Sequence, residues 1–204
     1  MANQDRDLLR LRVELEYIQP PIWREILVPA RFSFWDLHVA IQDSMGWWDT
    51  HLHDFRITDT FGGDDQRIGI PDEEWGFDDE AKVAAGWEHR VIDHFAKPGA
   101  TMLYTYDFGD DWVHRVTLIG IEARRKGKRY PQCVAGEHAC PPEDCGGPPG
   151  YAHLLAVLGN PEHPEYDDIR QWVPRAFDPE RFDPEAVRLS QPTRRLRRLL
   201  DVDD

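Results

Sequence analysis

The chain has 204 residues, a net charge of -14, 41% hydrophobic and 30% charged residues, and eight tryptophans, a balance that suits a globular protein able to bury a sizeable core. Such an acidic surface repels phosphate backbones and disfavours whole-protein nucleic-acid binding. No apolar run approaches the ~20 residues of a membrane span and the first residues lack a secretory layout, so the expectation is a cytoplasmic protein with no membrane attachment.

Leu8 to Tyr17 alternates, with Leu9, Leu11, Val13, Leu15 and Tyr17 on one face and Arg10, Arg12, Glu14 and Glu16 on the other. Period two predicts a half-buried strand. Gln19-Pro20-Pro21 turns the chain, and Ile22 to Val28 reads as a second strand ended by Pro29, giving an antiparallel hairpin. Ser33 can cap a helix with Asp36 as its partner three residues on; Phe34, Leu37, Val39, Ile41 and Met45 supply its apolar side, and Gly46 stops it. Trp47 and Trp48 are then expected to pin the helix to the sheet.

His51 to Ile57 alternates again and predicts a third strand with His51, His53, Phe55 and Ile57 on one face. Thr60 to Trp87 is rich in Gly, Asp and Glu and reads as a long excursion with one short helix near Asp79–Ala85. Val91 to Phe95 and Thr101 to Tyr106 are strand candidates around a Pro98-Gly99 turn. Asp107 to Asp111 is a turn, followed by a strand from Trp112 to Glu122 and a basic tip at Arg124–Arg129.

Beyond the cysteines the pattern becomes helical. Gly150 to Leu158 predicts a short helix and His163 to Val173 a second, with Trp172 packed inward. Pro184 suits a first helical position, and Glu185 to Leu200 predicts a last helix that Pro192 breaks or kinks. The order predicts one α+β domain over 1–204. Its parts are a sheet-and-helix core (8–135), a cysteine and Pro/Gly loop (136–150) and a helical extension (151–204). The hairpin–helix–strands order reads as an antiparallel, β-grasp-like sheet with a C-terminal helical extension.

Several segments together carry a resemblance. They are Pro20-Pro21-Ile22-Trp23-Arg24, Trp47 to Phe55, Tyr106 to His114, Cys140 to Gly147 and Phe177 to Asp183. Over about Leu9 to Val187 the chain resembles the plasmid pRiA-type ORF-three-like family, whose members are often labelled insertion-sequence passengers or resolvase-like proteins. The resemblance implies a single α+β domain, association with mobile elements and no assigned activity. Resolvase chemistry has no support in the residues. The chain has only Ser33, Ser44 and Ser190: a helix cap, a helix end and a tail residue. No Arg/His set with a tyrosine nucleophile can be assembled either.

The cysteine spacing is Cys133-x6-Cys140-x4-Cys145. Structural zinc takes four closed tetrahedral ligands, so three thiolates need one nitrogen. Were the chain after the basic tip to return beside the Trp112–Glu122 strand, Cys133 would fall opposite Gly120 and Cys140 near Val113. That register makes His114 the fourth ligand. His138 inside the loop, and His51 or His53 on another strand, are alternatives. The competing reading is a proline-stiffened loop holding buried free thiols; a Cys140–Cys145 disulfide requires oxidising conditions.

Asp107, Asp110 and Asp111 cluster in one turn near His114, and Glu143 and Asp144 join them if the cysteine loop folds back. Close carboxylates can divide acid and base roles or hold Mg²⁺ or Ca²⁺. The competing reading is a solvated Asp-Gly turn. His51 and His53 form either a metal pair or packing residues. Arg124–Arg129 and Arg188–Arg198 are basic segments able to meet phosphate, yet without interleaved aromatics for base stacking.

Three function classes follow. The leading one is a binding domain for a protein or small ligand, with a zinc site of Cys133, Cys140, Cys145 and His114. The second is a metal-assisted hydrolase working through Asp107, Asp110, Asp111, His114 and Glu143. The third is a nucleic-acid accessory factor of a mobile element.

Overall fold

Alternation decides the centre of the sheet. In β1 (Asp7–Leu15), Leu9, Leu11, Val13 and Leu15 are buried, and Arg10 on the opposite face bridges Glu25 and Glu122. β2 (Trp23–Pro29) pairs with β1 antiparallel, as the proline turn predicts. A computed structural model describes residues 7–57, 66–71, 83–95 and 97–200.

Helix α1 (Phe34–Met45) starts where the sequence places it. The Ser33 side chain accepts the Asp36 N–H, the Asp36 carboxylate accepts the Ser33 N–H, and Gly46 closes the helix at φ 95°. Its apolar side joins the core through Phe34, Leu37, Ile41 and Met45.

The later strands are β3 (His53–Ile57), β4 (Gln66–Gly69), β5 (Ala84–Ala85), β6 (Thr101–Tyr106), β7 (Trp112–Ala123) and β8 (Gln132–Glu137). They form one eight-stranded sheet in the order β5-β4-β3-β6-β7-β1-β2-β8. The β4–β5 pair is parallel, while the other pairs are antiparallel. This mixed sheet overturns the expected antiparallel, β-grasp-like arrangement; α+β fits in the broad sense. The cause lies in the excursion after β3. It returns two short strands to the sheet edge from a stretch with no alternating signal.

A second correction concerns β8. It pairs with β2, setting Cys133 beside Ile26, and not with β7. Both edges of β7 are already occupied, by β6 and β1. The register that brought Cys133 opposite Gly120 and Cys140 near Val113 therefore does not form.

Val91–Asp93 form a 3-10 turn instead of a strand, and Val91 and the following Phe95 are both buried. Residues 79–82 of the expected short helix lie outside the described residues, and Ala84–Ala85 are strand. His51 precedes β3.

Helices α2 (Gly147–Leu158), α3 (Tyr166–Trp172) and α4 (Pro192–Leu199) form the extension. Tyr151, Leu154 and Val173 join the core cluster, whereas Trp172 is half exposed, contrary to expectation. The last predicted helix is divided. A 3-10 segment at Pro184–Ala186 is capped by Asp183, and α4 begins at Pro192, its first helical residue. Among the described residues no helix is long and apolar enough to cross a membrane.

Candidate metal centre at three converging loops

At one end of the sheet three loops meet: 46–52 after α1, 107–111 between β6 and β7, and 139–147 after β8. Trp47 ties the first to the third. Its indole is buried and donates from Nε1 to the Pro141 carbonyl at 3.0 Å. Trp48 N–H donates to Glu143 Oε1 at 2.7 Å, while the Trp48 ring is 76% exposed, so only the first of the two tryptophans anchors the helix.

The second loop is set by Asp107. Its N–H donates to Leu52 O, and its Oδ1 accepts N–H bonds from Gly109 at 2.9 Å and Asp110 at 3.3 Å. Such an Asx turn holds Asp107 in the left-handed region at φ 57°. One carboxylate oxygen is spent on the turn, and Oδ2 faces His51 Nε2 at 3.6 Å. Asp110 Oδ2 accepts the Gly146 N–H at 3.1 Å and locks the second loop to the third.

His51 Nε2 lies 3.0 Å from Asp144 Oδ1. Ligand atoms of His51, Asp107 and Asp144 all fall within 4.8 Å of one another, the one such trio among the described residues. Around it, Tyr106 packs its ring edge-on to His51, takes the Thr50 N–H and donates to Glu143 Oε1 at 3.2 Å. Burial raises Tyr106 to about 12 and raises the Glu143 carboxyl. One imidazole and two carboxylates from separate loops suit a divalent cation of borderline or hard character.

The other sequence candidates are distributed differently. Asp107 is in the trio, Glu143 is beside it, and Asp110 braces it. Asp111 sits at the exposed end of the turn at φ 54°. His114 is fully buried under Trp47, with Nδ1 at 3.3 Å from Tyr104 O and Nε2 unpartnered; burial lowers it to about 4. His53 stacks on His38 in the core, and His138 bonds Pro21 O.

Cys133, Cys140 and Cys145 are free thiols, half buried along β8 and its following loop. They do not gather with His114 into a set of ligand atoms within 4.8 Å. Burial raises Cys133 to about 11 and Cys145 to about 12, and raises Cys140 as well. Metal capture there must therefore release the thiol protons.

Sequence reasoning named His51 and Asp144 only as secondary partners. The signal available was their presence in two of the unusual motifs, but nothing in the spacing pairs residues 93 positions apart. Arg24 was named only as part of a motif, and the His38–Asp49 pair carries no spacing signal of its own.

The match to known proteins covers this framework. Residues 7–186 match the family described as "Plasmid pRiA4b ORF-3-like protein". The chain belongs to this family. It is similar to "Uncharacterized protein y4hQ" of Sinorhizobium fredii (strain NBRC 101917 / NGR234), at 33% identity over 165 residues, which cover 81% of this chain and 80% of that protein. It is also similar to a crystal structure titled as a protein of unknown function, MM3350 from Methanosarcina mazei Go1. That likeness has 39% identity and a TM-score of 0.80, over 90% of this chain and 98% of that one.

Proposed function

We propose that this chain is a cytoplasmic binding domain whose working surface is the confluence of the three loops, with a divalent cation held by His51, Asp107 and Asp144. The observation that carries the reading is the convergence of their ligand atoms within 4.8 Å from three separate loops. An ion there would relieve the mutual repulsion of Asp107 and Asp144 and fix the His51 tautomer. Three free thiols suit a reducing compartment.

Metal-assisted hydrolysis at the same ion is the second reading. It is less favoured because the nearest further carboxylate, Glu143, is engaged by Trp48 N–H and the Tyr106 hydroxyl. Zinc on the cysteines would need Cys133, Cys140, Cys145 and a histidine to move together. A nucleic-acid role for a mobile element would rest on the charge of Arg124–Arg129 and Arg188–Arg198, and Arg195 is already paired with Asp43 and Asp49.

The test is calorimetric titration of chelator-treated protein with Zn²⁺, Mn²⁺ and Mg²⁺, for the wild type, His51→Ala, Asp144→Asn and Cys140→Ser. One site, weakened about tenfold or more in the first two variants and retained in Cys140→Ser, is the expected result. No binding, or binding lost only in Cys140→Ser, overturns it.

A further inference from the structure

Among the described residues, Arg24 is the one lysine or arginine that is buried, at 1% exposure. A guanidinium stays charged, and a buried charge needs compensation. Its hydrogen-bond partners are neutral: Nε donates to Ser44 O at 2.9 Å, and one terminal nitrogen donates to Trp23 O at 2.8 Å and Glu137 O at 2.9 Å. Its carbon lies 3.6 Å from the centre of the Phe182 ring. No carboxylate pairs with it among the described residues. Burial lowers its pKa, a sign of how poorly the charge is compensated.

Arg24 lines an open cavity of about 500 Å³ between the end of α1, residues 139–140 and the strap 181–188. This is ligand-sized. Arg181 and Arg188 line it too, with an apolar wall of Met45, Trp47, Phe182 and Val187. Two carboxylates are present, and both are engaged. Asp43 pairs with Arg195 and accepts from Ser190, and Asp183 accepts the Glu185 N–H. Arg24, Arg181 and Arg188 thus line one cavity in a chain of net charge -14, the Arg188 guanidinium also donating to the Glu185 and Val187 carbonyls. Such local reversal of sign against the background field favours an anion at this place.

We propose that this cavity is a binding site for a small organic anion. A carboxylate or phosphate would meet Arg24, Arg181 and Arg188, and an apolar body would lie against Met45, Trp47 and Phe182. Guanidinium groups suit both head groups because their planar donors match two oxygens at once. The site uses none of His51, Asp107 or Asp144 and does not depend on a cation.

The probes are phenyl phosphate, benzoate and inorganic phosphate, titrated calorimetrically into the full chain with EDTA present. Phenyl phosphate or benzoate should bind at one site, more tightly than inorganic phosphate, and the preferred head group identifies the ligand class. Arg24→Ala can fail to fold, so the test rests on Arg181→Ala with Arg188→Ala, which should weaken binding about tenfold or more while the chain stays folded. His51→Ala should bind the probe as the wild type does. Absence of binding in the millimolar range, equal binding of inorganic phosphate, or unchanged binding in the double variant overturns the proposal.

Discussion

His38 and His53 lie face to face in the core, their ring centroids 3.5 Å apart and their planes 5° from parallel. His38 is the hub of a polar network: its Nε2 meets Asp49 Oδ1 at 2.7 Å and its Nδ1 meets the Tyr104 hydroxyl at 2.9 Å. His53 Nδ1 has no partner, and burial together with the neighbouring His38 puts its pKa well below the ordinary value. Two cationic rings cannot share this stack, so His53 is held neutral.

Stability should therefore fall in mild acid. For His53 and His114 the folded pKa is below the unfolded value of 6.5, so the unfolded chain takes up protons first as pH drops. The contribution is complete above 6.5 and is lost as pH falls through the window down to about 4 for His114. Urea unfolding across this range should show it, with His114 alone contributing up to about 3 kcal/mol. His53→Phe should flatten the slope; an unchanged slope would mean the ring is protonated in the native state.

Arg24 joins the end of α1 to β2, β8 and the Phe182 strap. Arg24→Lys keeps the charge but cannot serve three carbonyls and stack on Phe182. A loss of about 3 kcal/mol is expected by denaturant unfolding, since buried acceptors are left unsatisfied. A loss near zero would show that water replaces the guanidinium.

Arg195 fastens α4 to the domain. It pairs with Asp43 and Asp49, while Trp35 Nε1 donates to Pro192 O. Burial by itself would raise Asp49, but His38 and Arg195 more than offset it and hold the carboxyl below its ordinary range. Arg195→Ala should cost about 2 kcal/mol and increase hydrogen exchange in α4 selectively. Uniform exchange across the chain would contradict a local fastening.

Gly147 is needed for contact between two of the three loops. It sits at φ 67°, and a Cβ there would strike the Asp110 carbonyl. Gly127, at φ 79°, has nothing within 4 Å of the same position. Both alanine variants incur the left-handed backbone cost of about 1 kcal/mol. Only Gly147→Ala should also displace Asp110 and weaken cation binding in the calorimetric assay; equal effects in the two variants would argue against the loop contact.

Local signals in the chain were sufficient for β1, β2, β6, β7 and α1. Period-two alternation, a proline turn and the Ser33–Asp36 capping box act between neighbours and survive any tertiary context. The same holds for the family, since its motifs are contiguous. Strand order was a different matter. β8 had to choose between β7 and β2, and that choice depended on which edges were free after β1 and β6 had paired. The site followed from it. With β8 beside β2, Cys133 and Cys140 went to Arg24, His114 sank beneath Trp47, and Asp144 came to His51 instead. Sequence determined which side chains were available and which short turns would hold them. Only the tertiary structure decided which of them met, because those meetings depend on pairing between strands far apart in the chain.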